Sequence, residues 1–178
     1  MTRAKSVSAS LLIFVAASCL SSAMAQQSEP TSQQFVTQAA EANLAEIKTS
    51  QLALSKSQDA QVRNVAQEMI DDHTKANQQL ATLAGQKNLK VPDDTDMTHK
   101  ATLKLLQAKS GESFDKSYID QMQKDHQKAV ALFRDASRSP KVDADLKAFA
   151  TSTLPTLQHH EQTVTKLAAA SASGSTSR

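Results

Sequence analysis

The sequence predicts an all-α fold, a four-helix bundle made of two antiparallel hairpins joined by one long crossover that itself carries a short helix. Three observations predict it. Between Thr31 and Ser171 glycine is almost absent, while Ala, Leu, Gln and Lys recur at helical spacing. A half-repeat runs through the chain: Asp59-Ala-Gln-Val-Arg-Asn-Val-Ala66 returns as Asp143-Ala-Asp-Leu-Lys-Ala-Phe-Ala150. Phe35, followed by Glu41 and Glu46, returns as Phe114, followed at the same two offsets by Asp120 and Asp125. The segment between the halves is long enough to run the height of a bundle, which gives the single-crossover, ferritin-like topology rather than up-down-up-down.

Residues 1–25 read as a signal peptide. Arg3 and Lys5 precede an apolar run from Leu11 to Ala17, and Ala23-Met24-Ala25 closes it as a small-x-small cleavage site. The run is too short for a stable membrane anchor, and nothing after Ala25 is apolar and long enough to replace it. The expected product is exported after cleavage near Ala25, periplasmic, free of a transmembrane segment, and able to associate with the outer membrane. Val15-Ala-Ala-Ser-Cys19 faintly resembles a lipoprotein site, but Ala16 stands where leucine is preferred and Ala23-Met24-Ala25 is the better site. Cleavage there leaves no cysteine, which excludes disulfides and thiolate metal sites.

Residues 26–31 form a polar leader, 32–170 the bundle and 171–178 a Ser/Gly/Thr tail expected to be disordered. Helix 1 is expected over Ser32 to Leu54, and helix 2 from Ser57 or Gln58 to Ala84, with Gly85 or Asn88 in stop positions. After Pro92-Asp-Asp-Thr-Asp96 comes an amphipathic crossover helix, Met97 to Lys109, ended by Gly111. Helix 3 follows over Glu112 to Ser137 and helix 4 over Val142 to Ala170, separated by Ser139-Pro140. Ser57 and Ser139 suit the turns that restart each helix. Pro155 should bend helix 4, since it lacks a backbone donor and crowds the preceding turn.

The chain carries 20 basic and 18 acidic residues. The excess is Arg3 and Lys5, so the mature protein is charge-balanced. With no tryptophan and few aromatics it has neither the field nor the stacking platforms of a nucleic-acid binder. A G-x-S-x-G elbow, a P-loop and a His-Glu-x-x-His pair are all absent, as is a Cys-x-x-Cys-His haem attachment, although Met69, Met122 and the histidines could serve as axial ligands.

Projection at ~100° per residue places Glu46 inside the apolar arc of helix 1 and His73 near the centre of that of helix 2. Asp125 and His126 fall within the arc of helix 3, and His160 within that of helix 4. Glu41, Glu68 and His159 fall outside, Asp72 and Glu161 at margins, and His99 on an exposed crossover face. The inward group lies near mid-helix, so its members can meet at one level. An ionised carboxylate in an apolar interior needs a partner. Either protonated histidines pair with Glu46 and Asp125 as a structural network, or neutral histidines and the two carboxylates hold one divalent metal ion such as Fe, Zn or Mn. A weaker echo, Met69-x-x-Asp72-His73 against Met122-x-x-Asp125-His126, joins helices that the half-repeat does not pair.

Together Glu46, Ala66-Gln-Glu-Met69-Ile-Asp-Asp72-His73, Phe114-Asp-x-x-Tyr118, His126 and Leu154-Pro-x-Leu-x-x-His160 resemble the exported bacterial domain-of-unknown-function 4142 proteins, often labelled outer-membrane proteins. The resemblance covers Thr31 to Ala170. It implies a ferritin-like fold and an envelope location, but the family has no settled activity. The chain departs from di-iron ferritin-like enzymes, which repeat Glu-x-x-His: Ile70 and Leu157 stand three residues before His73 and His160. The surviving set, Glu46, His73, Asp125 and His160 with His126 as ligand or orienter, could hold one metal at most.

Two functions follow as expectations. The first is a non-enzymatic, stress-related bundle acting by interaction with an envelope partner, its polar core structural. The alternative is a mononuclear divalent-metal binding or metal-dependent redox protein.

Overall fold

The computed structural model describes residues 29–174, with side chains through Ser171; the expected signal peptide, Cys19 and the last four residues lie outside them. Five helices follow in order: α1 (Ser32–Lys56), α2 (Ala60–Gln86), the crossover helix α3 (Met97–Gln107), α4 (Gly111–Arg138) and α5 (Ala144–Gly174). The last continues past Ala170, where the tail was expected to begin, and runs through Pro155 without ending there.

The half-repeat is a repeat of helix starts. Asp59 caps α2, its carboxylate accepting from Gln61 and Val62 N–H, and Asp143 accepts from Asp145 N–H in the same role at α5. The buried hydroxyls of Ser57 and Ser139 accept N–H groups inside the two tight turns, from Asp59 and Lys141. Thr31 opens α1 with a capping box closed by Gln34. Local chemistry therefore restarts each helix where the apolar pattern resumes.

α1 packs on α2, α4 on α5, and the hairpins meet along α1/α4 and α2/α5. Contacts at the ends set the directions. Lys56 Nζ, at the end of α1, donates to the carbonyls of Gln107 and Lys109 just before α4, whereas Lys87, past the end of α2, pairs with Asp143 and Asp145 at the start of α5. The crossover thus climbs the full height of the bundle, and the diagonal helices α2 and α4 run parallel. Along the way Asp94 bridges Lys48 and Lys100, and Gln33 pairs with both backbone groups of Lys90.

Of the two stop positions offered at the end of α2, Asn88 takes the role, while Gly111 acts differently from what its position in the sequence suggests. α2 ends in a Schellman motif in which Leu89 N–H bonds Ala84 C=O and Asn88 N–H bonds Gly85 C=O, with Asn88 left-handed at φ 53°. Gly85 remains inside the helix. The crossover helix stops at Gln107, and Gly111, at φ 55°, is instead the first residue of α4. Opposite effects of one substitution follow. Gly85→Ala, whose methyl meets nothing within 4 Å, should stabilise by about 0.5–1 kcal/mol, while Gly111→Ala should cost about 1–2 kcal/mol for the left-handed backbone; urea unfolding of both variants checks the signs.

The core has three layers. At one end Phe35, Phe133 and Phe149 meet edge-on and tilted, with centroids 5.1–6.4 Å apart, in one cluster with Leu80, Val130 and Leu146. At the other end Met69, Phe114, Tyr118, Met122 and Val164 form a second apolar cluster. On every long helix buried polar residues lie between the two clusters: Asn43 and Glu46 on α1, His73 on α2, Asp125 and His126 on α4, His160 on α5.

Candidate metal centre

Four side chains from four helices meet in the middle layer, each at most 2 % exposed: Glu46, His73, His126 and His160. The carboxylate is central. Glu46 Oε2 lies 2.9 Å from His73 Nε2 and 3.3 Å from His126 Nε2, and His126 Nε2 lies 3.3 Å from His160 Nδ1. One ring nitrogen of each histidine is within 4.8 Å of those of the other two.

The opposite nitrogen of every ring is held by an oxygen. His73 Nδ1 is 2.9 Å from Asn43 Oδ1, His126 Nδ1 is 2.9 Å from Met122 C=O, and His160 Nε2 is 3.0 Å from Asp72 Oδ2. Carbonyl and carboxylate oxygens only accept, so these outward nitrogens carry the protons and each inward nitrogen of a neutral ring presents a lone pair. A buried lone pair facing another at 3.3 Å is repulsive unless a proton or cation stands between them. The carboxylate is equally unprovided for. Neither Glu46 oxygen has an aligned hydrogen bond, and His73 Nε2 approaches at 2.9 Å without one.

Burial alone would raise the Glu46 pKa, but the imidazoles of His126 and His73 outweigh it and hold the group at about 2, so it is anionic. For His73 burial opposes the charge, yet the Glu46 carboxylate wins and the pKa is raised. His160 goes the other way, to about 4, because burial and repulsion from His73 and His126 exceed the help from Asp72. Without a metal, the layer is thus organised around a Glu46–His73 ion pair with a neutral His160 beside it.

Asp125 takes a different place from the other four. One position before His126 on α4, it is rotated about 100° round the helix, where Oδ2 accepts from Gln121 Nε2 at 2.8 Å and Lys128 stands 3.9 Å away. Its side chain lines a small cavity under the crossover with Glu41, Asp96 and His99, and burial raises its pKa. His99, expected in solvent, is half-buried there, its Nδ1 2.9 Å from Asp96. His159 is exposed as expected, though 3.6 Å from Glu68.

Sequence reasoning missed the two side chains that orient the rings. Asn43 stands three residues before Glu46, hence on the same face, so its burial was readable in principle. Asp72 sat at the margin of its arc, and only the packing of α5 on α2 brings it to His160.

Solved structures share this architecture. A DUF305 fragment from Deinococcus radiodurans matches at TM-score 0.69 and 17% identity, over 79% of this chain and 96% of its own. A DUF305 protein from Streptomyces coelicolor matches at 0.65 and 14%, over 80% and 93%. CopM in its Cu(II)-bound form matches at 0.66 and 18%, over 79% and 97%. At such identities the likeness is one of fold. No curated protein matches the sequence at a significant level. A family model does, spanning residues 17–167 and so all of the polar layer and the bundle up to the last turns of α5, and the chain belongs to the family of that model, the domain of unknown function DUF4142.

Proposed function

We propose that this protein is an exported metal-binding bundle that holds one first-row divalent ion through His73, His126, His160 and Glu46. The single observation that carries the reading is the convergence of one ring nitrogen from each of three buried histidines, two of them beside the buried Glu46 carboxylate, with each ring locked from behind by an oxygen acceptor. Ring orientation by a carbonyl or carboxylate on the far nitrogen is the usual support of metal-ligating histidine. The spacings fit as well: ligands ~2.0–2.1 Å from one ion lie roughly 3.0–3.4 Å from each other, and the neighbouring donors here are 2.9, 3.3 and 3.3 Å apart.

Imidazole with carboxylate suits Zn, Fe, Mn and Cu(II). The Cu(II)-bound form of CopM, a protein of the same fold, makes Cu(II) one ion to test. Were Glu46 to join the three histidines, four protein ligands would close a tetrahedral shell, which favours holding or carrying an ion over hydrolytic chemistry. Asp125 stands outside the shell. Export rests on the signal-like leader. Among the described residues no helix is long and apolar enough to cross a membrane.

A second reading has its own support: the Glu46–His73 ion pair balances charge without metal, leaving a structural layer in a protein that acts through its surface on an envelope partner. Elemental analysis of untagged protein, purified from the periplasm and dialysed against Zn(II), Cu(II) or Mn(II) in turn, separates the two. One ion per chain is expected for at least one metal, less than a tenth of that in His73→Ala, and unchanged content in Asp125→Asn. Wild-type protein without stoichiometric metal would leave only the structural reading.

A further inference from the structure

His160 faces two ways. Its Nδ1 points into the buried centre, while its Nε2 points toward a second set of ligand-type side chains on the α2/α5 face. Asp72 Oδ2 lies 3.0 Å from that nitrogen and Glu68 Oε1 3.8 Å, and the same Glu68 oxygen stands 3.6 Å from His159 Nε2. Glu68 and Asp72 are one turn apart on α2, and His159 and His160 are adjacent on α5, so docking of the two helices assembles the group. One donor atom each from Glu68, Asp72 and His160 lies within 4.8 Å of the other two. Exposure falls steeply across it: the side chain of His159 is 66% accessible, those of Asp72 and Glu68 43% and 37%, and that of His160 1%.

We propose that Glu68, Asp72 and His159 form the loading site of the buried centre, capturing a hydrated divalent cation at the surface and passing it inward past the His160 ring. The proposal rests on the metal reading above and adds its route. Two carboxylates at the mouth draw a cation in, the exposed imidazole of His159 begins to replace its water shell, and His160, whose Nε2–H donates to Asp72 while its Nδ1 lone pair faces the centre, links the two groups and offers the first inner ligand. The opposite face offers a rival path, the cavity lined by Glu41, Asp96, His99 and Asp125. Its carboxylates are engaged, Asp96 by His99 and Asp125 by Gln121, as Asp72 is by His160, but none of its lining side chains belongs to the centre as His160 does.

Stopped-flow uptake of Co(II) by the metal-free protein, read by its visible absorption, tests the route. In Glu68→Gln/His159→Gln the final absorbance and the dissociation constant should match the wild type, while uptake and release both slow by about tenfold or more, the scale of electrostatic steering. Equal slowing in both directions is required of a site on the path, since it changes the barrier and not the end state. Glu41→Gln should keep wild-type rates. Unchanged rates in the double variant, slowed uptake in Glu41→Gln, or a loss of final absorbance in the double variant would each overturn the loading site while leaving the centre intact. A wild type that binds no divalent ion at equilibrium would instead overturn the centre itself.

Discussion

Saturating divalent metal should raise the melting temperature of the metal-free protein by about 10 °C, because an ion at ~1,000 times its dissociation constant stabilises the folded state by about 4 kcal/mol, and a domain of this size gains ~2–4 °C per kcal/mol. The rise should vanish in His126→Ala. That ring supplies the nitrogen standing 3.3 Å from both Glu46 Oε2 and His160 Nδ1, and it joins the other donors. Asp125→Asn, one residue away but facing the crossover cavity, should keep the full rise. Differential scanning calorimetry with and without metal checks all three proteins. A wild type whose melting temperature ignores Zn(II), Cu(II) and Mn(II) would show that the lone-pair geometry is satisfied by protons alone.

In the absence of metal, acid should unfold the protein in two overlapping steps whose order follows from the two depressed pKa values. His160 titrates near 6.5 when unfolded and at about 4 when folded. Between those values the unfolded chain binds a proton that the folded one refuses, so stability falls as pH drops through this window. Glu46 continues the loss from 4.5 down to about 2, as the unfolded carboxylate takes up its proton first. Each group can withdraw on the order of 3 kcal/mol, at ~1.4 kcal/mol for each pH unit between its folded and unfolded pKa, a large share of the ~5–15 kcal/mol that holds a typical domain together. His73 has the opposite sign. Its raised pKa makes its contribution complete below 6.5 and lost as pH rises through the folded value. The metal-free protein should therefore be most stable near neutrality. Urea unfolding at pH 7, 5.5 and 4 should show the loss, and His160→Gln should flatten the profile between pH 6.5 and 4 while leaving the lower limb. Identical profiles for wild type and variant would contradict the burial of His160 as a neutral ring.

Metal would steepen the acid limb further. Protons compete with the ion for the inward nitrogen of His73, whose pKa the Glu46 carboxylate raises, so affinity falls as that ring protonates.

The half-repeat and the echo acquire separate meanings in the folded chain. The half-repeat pairs α1 with α4 and α2 with α5, and what it conveys is where helices start: Asp59 and Asp143 as caps, Phe35 and Phe114 as first core residues at opposite ends of the bundle. It does not carry the site, for Glu46 faces the centre while its counterpart Asp125 faces the crossover. The echo Met69-x-x-Asp72-His73 and Met122-x-x-Asp125-His126 joins α2 and α4, which are diagonal and parallel. Parallel diagonal helices bring equivalent positions to one height, so His73 and His126 meet across the core with ring centroids 5.5 Å apart, and Met69 and Met122 lie together in the apolar cluster beyond them.

Helix number and order, the hairpin pairing, the long crossover and the inward placement of Glu46, His73, His126 and His160 were all determined by the sequence alone. Each follows from an interaction local to one helix: caps, turns, and a 3.6-residue apolar period that fixes which side is buried. Tertiary structure decided the rest, because it depends on the rotation and height of one helix against another. Asp125 and His126 share one broad apolar arc, yet the angle at which α4 meets α1 and α3 sends the first to the crossover and the second to Glu46. Asp72 and Glu68 lie outside or at the edge of their own arc and become partners of His160 only through the docking of α5 on α2. An arc drawn on one helix can show that a side chain points inward, whereas the identity of its partner is a property of the neighbouring helix.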